Sequence, residues 1–499
     1  MKKVFRIVDT FNITGVGTLY SLMPGSEVLG EPLFDLTGNS VKITSVARYE
    51  RRAEDFNKEY PIGVLLQPEQ GNKIFGTVLT NTNEPVNFLF CSDPLHPNKV
   101  EEDYAEEYEA AAVDHPCGLI SFEDILEGRV VLHGEKISGL TIYRGWMLKP
   151  EQYKRMFELL EQQGIYLINT PEEYEHYHEL PGWYHEFEES TAPSVWIKGT
   201  NLEDLLNKVK TLDGPYIVKD FVKSRKHEWY DACYIGNIRN TDEVQRVINN
   251  FVERQGDSLT GGIVLRKFEQ LKSQGYHPES GMPISEEYRV FVYGGRVLSI
   301  DGYWQNDDFH LSDQEYSWIE SLAQKVKSNY VTLDLARKKD GRLILMECGD
   351  GQVSGLQQLR PEVYYRLFEG MKCHTMRTLD DLKRLLGLTR ALGIEAEISL
   401  RFSDKPYEYM IISYLDHVSF QRCGTEIEQS GEQNYFSINR LLSTELIDGI
   451  ILERDWNKLE AIGCEPDFSD LGALLSAYKK VCPIKYDVGP GMACMICHH

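Results

Sequence analysis

The sequence predicts a multidomain α+β protein: a small N-terminal β-barrel, an α/β domain, an α+β core and a C-terminal α+β domain. Three observations predict it. Short apolar runs punctuated by glycine fill residues 1–82. Strand-like runs alternate with well-marked helices over 83–190. Hairpin-forming strands with charged residues on apolar faces occupy 191–372. Residues 373–487 form the last domain, of unassigned role, and 488–499 read as a flexible tail.

A chain of 499 residues has room for three or four domains of about 100–200 residues each. Hydrophobic residues make up 42% and charged residues 26%, as in ordinary folded proteins. A net charge of −24 works against duplex DNA and anionic lipid unless a basic patch is segregated. The one short basic run is Lys219 to Lys226. Ten dispersed cysteines fit reduced thiols in a cytoplasmic protein rather than a disulfide framework. Asp9 and Asn12 break the first apolar run, so no signal peptide is expected. No run of about 18 apolar residues predicts a membrane span.

In the barrel region, strands are expected at Phe5–Val8, Val41–Val46, Gly63–Gln67 and Ile74–Leu79. In the α/β region they are expected at Phe88–Cys91, Val130–His133, Ile142–Arg144 and Ile165–Ile168. Pro150 to Gln163 is a helix: Tyr153, Met156, Leu159 and Leu160 share one face. Thr170 and Glu173 form a capping box for the next helix. In the last domain, strands are expected at Glu395–Phe402 and Tyr407–Tyr414.

The core region carries the chemistry. In VTLDLARKKDGRLILMECGDG, Asp340-Gly341 between alternating apolar runs signals a hairpin. With those two residues as the turn, Asp334 faces Glu347, with Cβ atoms about 4.5–5.5 Å apart. Two like charges so placed repel, and a divalent cation between them removes the repulsion. Mg²⁺ typically takes one or two carboxylates plus substrate phosphates. Two acids on a solvent face satisfy the same spacing, and a loop one residue longer would turn one acid away. Upstream, Lys219 and Lys223 share a strand face with Ile217 and Phe221. Such an ammonium needs an anion, which a nucleotide phosphate supplies; a lysine-protected edge strand is the alternative. The loop Ser224 to Tyr230, with Arg225, Lys226 and His227, is placed to close over phosphates. Gly294-Gly295 marks a second hairpin. On its first strand Arg289 alternates with Phe291 and Tyr293, suited to clamp a phosphate or carboxylate.

A lysine strand, a basic loop, an apolar strand, E-x-R-V-F-V, then Asp and Glu on a final hairpin resembles the ATP-grasp superfamily over 191–372. Tyr143-Arg144-Gly145-Trp146-Met147-Leu148 and Ile217-Val218-Lys219-Asp220 resemble its divergent phage and bacterial clade named for one arginine and two lysines. The resemblance implies ATP and Mg²⁺ as cofactors. It implies a carboxylate–amine or carboxylate–thiol ligase working through an acyl phosphate, with ADP and phosphate released. Lys219, Lys223 and a second lysine, Lys198, would hold the nucleotide, and Leu265, Arg266, Lys267 and Phe268 would form the hinge beside adenine. Glu269 would take the ribose. Arg289 would face the transferred phosphate, and Asp334 and Glu347 would bind the metal. Where the family usually has asparagine, this chain has Gly349, so Asp350 is the candidate third ligand. The domain before the core often contacts the acceptor, which makes Arg144 a candidate receiver of a substrate carboxylate; surface and core roles are the alternative for Arg144 and for Tyr174, His176, His178 and Trp183. Substrates would be small-molecule or peptide carboxylates and amines.

FRIVDTFNITGVGT at 5–18, with Val41–Val46 and Gly63–Leu66, resembles the second, β-barrel domain of translation factors such as elongation factor Tu. No G-x-x-x-x-G-K-[ST] accompanies it, so a GTPase is not implied. That domain touches tRNA in translation factors, which adds an RNA-directed enzyme to the alternatives, beside a non-catalytic ATP-binding interaction protein. Cys494, Cys497 and His498 spell a haem-attachment motif that a cytosolic setting does not use; a loose thiol/imidazole metal site and a functionless tail are the other readings.

Overall fold

In the computed structural model the described residues are 2–15, 17–24, 27–47, 61–68, 73–276, 283–304, 311–370, 379–392, 395–414, 416–423 and 431–465. The cysteine-containing tail lies outside them.

Alternating apolar residues close the first strands into a barrel. Its strands are β1 (Val4–Ile13), β2 (Gly17–Met23), β3 (Leu33–Phe34), β4 (Ser40–Val46), β5 (Ile62–Pro68) and β6 (Val78–Thr80), in the order β1-β2-β5-β4-β3-β6. Phe5, Leu22, Val41, Val64, Ile74 and Leu79 fill it. The strand expected at Ile74–Leu79 begins only at Val78. Ile74 reaches the core from the preceding loop. β2 escapes the sequence reading because most of its residues are only half-buried and do not alternate.

The α/β domain has β7 (Asn87–Cys91), β8 (Cys117–Ile120), β9 (Leu132–Gly134), β10 (Gly139–Arg144) and β11 (Ile165–Leu167), ordered β11-β10-β7-β8-β9. All its pairings are parallel except β8–β9. The helix Pro150–Glu161 buries Tyr153, Met156 and Leu160. Thr170 and Glu173 form the expected capping box.

Two further sheets face one another. The first contains β12 (Ser194–Lys198), β13 (Tyr216–Lys219), β14 (Tyr234–Ile235) and β15 (Gly262–Lys267), ordered β12-β15-β13-β14. One of its faces packs Ile197, Val218, Ile263 and Leu265 against Leu205, Val244, Ile248 and Phe251 of the helices Leu202–Val209 and Thr241–Gln255. β16 (Ser273–Tyr276) and β17 (Pro283–Ser285) form a small ribbon. The second sheet contains β18 (Glu287–Tyr293), β19 (Arg296–Gly302), β20 (Tyr330–Arg337) and β21 (Leu343–Asp350), ordered β19-β18-β20-β21. Gly294 and Gly295 take φ of 60° and 76°, as the tight β18–β19 turn requires. The helix Asp313–Ala323 covers Val290, Val292 and Leu333 on one face. On the other, Tyr364 and Phe368 of the helix Pro361–Gly370 pack on Phe291, Tyr293 and Tyr330. An antiparallel sheet of β22 (Ala396–Phe402), β23 (Glu408–Ser413), β24 (Val418–Arg422), β25 (Glu432–Tyr435) and β26 (Leu459–Glu465) completes the described chain. No helix among the described residues is long and apolar enough to cross a membrane.

Barrel, α/β domain and core meet at one joint. Arg6 Nη2 donates to the Leu167 carbonyl at 2.5 Å, and its guanidinium lies over Phe157. Asn329 Oδ1 accepts from the Thr77 amide at 2.7 Å while its Nδ2 donates to the Ile168 carbonyl at 3.1 Å. The Asn169 side chain acts as a strand partner for Tyr330. Its Oδ1 accepts from the Tyr330 amide at 3.0 Å and its Nδ2 donates to the Tyr330 carbonyl at 2.7 Å. β20 starts at that residue.

Candidate functional site

The second core sheet sets four charged residues in one row. Arg289 of β18 pairs with Asp301 of β19 on one side and with Asp334 of β20 on the other. Asp334 pairs with Glu347 of β21. Paired residues share a face, so one row reads Asp301, Arg289, Asp334, Glu347. The route to the Asp334–Glu347 pairing differs from the sequence expectation. The β20–β21 loop is one residue longer than a two-residue turn. The Lys338 amide donates to the Arg342 carbonyl, and Arg337 pairs with Leu343. That register alone would put Met346 opposite Asp334. Leu335 pairs with Leu345, however, and Asp334 with Glu347, so Met346 is the extra residue of a β-bulge. The bulge restores the pair that the longer loop would have lost.

The facing sheet supplies the cations. Lys219, Val264 and Trp196 are in register across β13, β15 and β12 and share the face opposite to the helix-packed one. Lys219 Nζ donates to Glu347 Oε1 at 2.7 Å, spanning the two sheets. Arg289 grips Asp334 bidentately through one edge of its guanidinium, Nε–Oδ1 at 2.8 Å and Nη2–Oδ2 at 2.7 Å. Its Nη1 donates to the Gly355 carbonyl at 2.8 Å, and its guanidinium lies over the Tyr303 ring. The Glu347 side chain is 44% exposed and that of Asp334 18%, so both carboxylates stay reachable. Burial works to raise the Glu347 pKa, but Lys219, Lys226 and Arg266 outweigh it and hold the carboxyl below its usual range. Burial likewise opposes charge on Arg289, and Asp334 more than compensates.

Three further residues join this site: Lys226, expected only within the basic loop, Glu287, quoted only within E-x-R-V-F-V, and His178, named only in the cluster before the core. Lys226, from the basic loop, reaches the fields of Glu287 and Glu347. Although Lys226 is exposed on the loop, its ammonium is partly desolvated by the surrounding groups, and those acids outweigh that and raise its pKa. The loop is fastened from outside: Arg225 donates to Glu228 and to the Arg254 carbonyl, and Arg254 pairs with Glu228. Glu287 lies two residues before Arg289 on the same strand face. Burial raises its carboxyl, while Ser285 and Lys226 pull it down. His178 stacks on Tyr174 with ring centroids 5.0 Å apart. Burial drops its pKa to about 4, Lys223 and Lys219 add to the drop, and Glu347 opposes it. The contiguous basic run flags Lys226. Period-two alternation puts Glu287 on the Arg289 face, whereas His178 reaches the site only through helix packing.

The remaining expected residues are placed as follows. Lys223 is exposed on the loop after β13, and its carbonyl accepts from the Asp220 amide. Lys198, exposed at the end of β12, lines a recess with Pro181, Trp196, Asp204, Lys208 and Phe221. Leu265 points into the helix-packed core. Arg266 is buried, donating to Thr191 Oγ1 at 2.8 Å and the Met346 carbonyl at 2.8 Å. Lys267 is exposed at the strand end. Phe268 meets Trp229 and Tyr234, which stack on each other with centroids 5.1 Å apart. Glu269 pairs with Lys338 at 3.0 Å.

Two expectations need correction. Arg144, expected to receive a substrate carboxylate, is turned into the protein interior. It is 1% exposed, and Nε and Nη2 bind Glu107 at 2.8–3.1 Å. Nη1 donates to the Gly351, Gln352 and Ser354 carbonyls at 2.8–3.2 Å. With its donors spent on protein acceptors, it locks the turn after β21. Asp350 does not join the carboxylate pair. It lies on the opposite strand face from Glu347 and accepts from Asn169 Nδ2 at 2.6 Å and the Gln352 amide at 2.9 Å. Burial pushes it up to about 7. Among the described residues, no three His, Cys, Asp or Glu side chains gather as a metal cluster.

Residues 206–367 match the family described as ATP-grasp domain, R2K clade family 3, and this span is an ATP-grasp domain. It contains Lys219, Lys226, Arg289, Asp334 and Glu347; Arg144 and Lys198 precede it. No curated protein matches the chain. Similar solved structures include the ATP-grasp ligase PsnB complexed with minimal precursor, Mg and ADP. It has 11% identity and a TM-score of 0.36, with 57% of this chain and 96% of that one covered. D-alanyl-alanine synthetase A from Vibrio cholerae has 12% identity and a TM-score of 0.36, covering 56% and 92%. D-cycloserine synthetase DcsG has 13% identity and a TM-score of 0.37, covering 57% and 99%.

Proposed function

We propose that this chain is an ATP-dependent ligase that joins a carboxylate to an amine or thiol through an acyl phosphate, releasing ADP and phosphate. The observation that carries the reading is the contact between the facing sheets, Lys219 Nζ to Glu347 Oε1, beside the Arg289–Asp334 pair. Three cations (Lys219, Lys226, Arg289) confront three acids (Glu287, Asp334, Glu347). A metal–nucleotide complex carries both charges in the complementary order. Asp334 and Glu347 sit in direct register and are reachable, and each is held by a cation that phosphates can attract away. Two such carboxylates plus phosphate oxygens suit Mg²⁺.

When bound, ATP supplies the phosphoryl group and Mg²⁺ neutralises charge on its oxygens. The chain's own residues do the rest. Lys219 and Lys226 hold the phosphates as fixed charges. Arg289 faces the transferred group and stabilises its developing charge. The two sheets orient donor and nucleotide, which supplies much of the rate. The fastened basic loop holds Lys226 near the carboxylates. Phe268, with Trp229 and Tyr234, offers a flat apolar wall to the base at the end of β15. The donor is a small-molecule or peptide carboxylate. In Lys219→Ala, substrate-stimulated ADP formation should fall at least about a hundredfold, the weight of roughly 3 kcal/mol of charge stabilisation. Unchanged turnover would misplace the nucleotide site.

One observation favours a second reading, an ATP-binding protein without catalysis. Gly349 stands at the expected third-ligand position, and Asp350 is turned away. Calorimetric binding of ATP, with no ADP formed in the presence of cell extract, would favour it.

A further inference from the structure

Arg289 has a carboxylate on each side and uses only one. Asp334 on β20 takes the Nε–Nη2 edge of its guanidinium. Asp301, its register partner on β19, is 5% exposed, and its Oδ2 has no hydrogen-bond partner among the described residues. Oδ1 accepts only from the adjacent Gly302 amide, at 2.8 Å. Ser299, two residues back on the same face, is also buried with its hydroxyl unpartnered. A buried carboxyl without a cation is costly. Burial has pushed this one up to about 7, so much of it carries a proton near neutral pH. Tyr303, two residues further along the chain, already supports the Arg289 guanidinium. Side chains directly opposed across strands have Cβ atoms about 4.5–5.5 Å apart, well within the reach of arginine.

A divalent cation that takes the lone pairs of Asp334 used by the bidentate arginine competes with it for them. It also repels the guanidinium. Arg289 must turn, and Asp301 is the acid on its other flank in the same row.

We propose that Asp301 is a positioning residue, the second seat of Arg289, taken when a metal ion claims Asp334. From that seat one edge of the fork is held by Asp301, and the other is free to meet the transferred phosphoryl group. The inference rests on the ligase reading, since it needs the metal at Asp334. It explains why the fold keeps a buried acid that has no cation partner among the described residues.

The test is calorimetric titration with the non-hydrolysable analogue AMPPNP, with Mg²⁺ and with EDTA, on wild type, Asp301→Asn, Arg289→Met and the double variant. Asp301→Asn should weaken Mg²⁺-dependent binding about tenfold, the weight of one charge-assisted hydrogen bond. It should leave EDTA binding unchanged and leave the metal-free melting temperature unchanged or raised. A purely structural role would instead lower the melting temperature and weaken both affinities. In the Arg289→Met background the effect of Asp301→Asn should vanish, because the residue acts through Arg289. Equal Mg²⁺-dependent binding in wild type and Asp301→Asn, or an effect that persists without Arg289, overturns the second seat alone. If wild type fails to bind AMPPNP with Mg²⁺, the ligase reading falls and this inference falls with it.

Discussion

Replacing Arg144 with methionine should cost about 3 kcal/mol of stability with no ligand present. The side chain is fully enclosed, forks onto Glu107, and ties three carbonyls of the Gly351–Ser354 turn. Removing one partner of a buried ion pair typically costs about 3–5 kcal/mol, because a charge is left uncompensated. Two facts place this case at the lower end. The Glu107 side chain is 13% exposed, and its carboxylate keeps the Tyr365 hydroxyl as a donor. Methionine also recovers part of the buried stem's packing. The assay is urea unfolding at neutral pH, with hydrogen exchange over residues 351–355 as a local probe. Removing Glu107 as well, as Arg144→Met with Glu107→Met, should restore at least half the loss, since swapping both partners for apolar groups leaves no orphaned charge. A loss under about 1 kcal/mol, or a double variant no better than the single one, would refute the idea that Arg144 is a structural latch. It would reopen a substrate role for this residue.

Lys219→Met should change stability by less than about 1 kcal/mol, because the Glu347 carboxylate it abandons is accessible to water. Its AMPPNP affinity should nevertheless fall steeply, and intact calorimetric binding would contradict the assignment. Asn329→Ala should cost about 1–3 kcal/mol by orphaning the Thr77 amide and leaving the Ile168 carbonyl with Arg6 as its donor; a neutral effect in thermal melts would mean the joint is held elsewhere. His178 gives stability a pH dependence of known sign. Its folded pKa lies near 4, below the 6.5 of an ordinary imidazole. Between those values the unfolded chain binds a proton that the folded one refuses, so stability falls on acidification by up to about 3 kcal/mol. His178→Phe should remove that part of the acid limb. Asp301 and Asp350, raised to about 7, trend oppositely, so the measured quantity is the difference between variant and wild type. Identical limbs would show that His178 titrates normally.

Much of the site is legible in the sequence because its parts are short-range. Arg289 sits on a hairpin marked by two glycines, and Lys219 on a strand of mixed charged and apolar residues. The Asp334–Glu347 pairing is legible too, but through the wrong turn. An Asp-Gly dipeptide signals a hairpin without fixing its length, and the bulge at Met346 that corrects the register has no local signature. Arg144 illustrates the opposite failure. Its motif is conspicuous, yet its partners Glu107 and Gly351–Ser354 lie 37 to 210 residues away in sequence. Asp350 suggests itself as a ligand by adjacency to Glu347. Strand alternation turns it to the other face, where Asn169 and Gln352 take it up.

The joint at Asn329 bears on how this chain is to be dissected in the laboratory. The barrel's Thr77, the α/β domain's Ile168 and the first residue of the carboxylate-bearing strand are linked through two neighbouring side chains, Asn169 and Asn329. Asp334 is four residues downstream of Tyr330 on that same strand. A chain cut at residue 82 would leave Asn329 without the Thr77 amide, and one cut at residue 190 would also strip the Tyr330 amide and carbonyl of Asn169. Trimmed versions would therefore report on a damaged cleft. The smallest faithful specimen for ligand work keeps barrel, α/β domain and core in one piece.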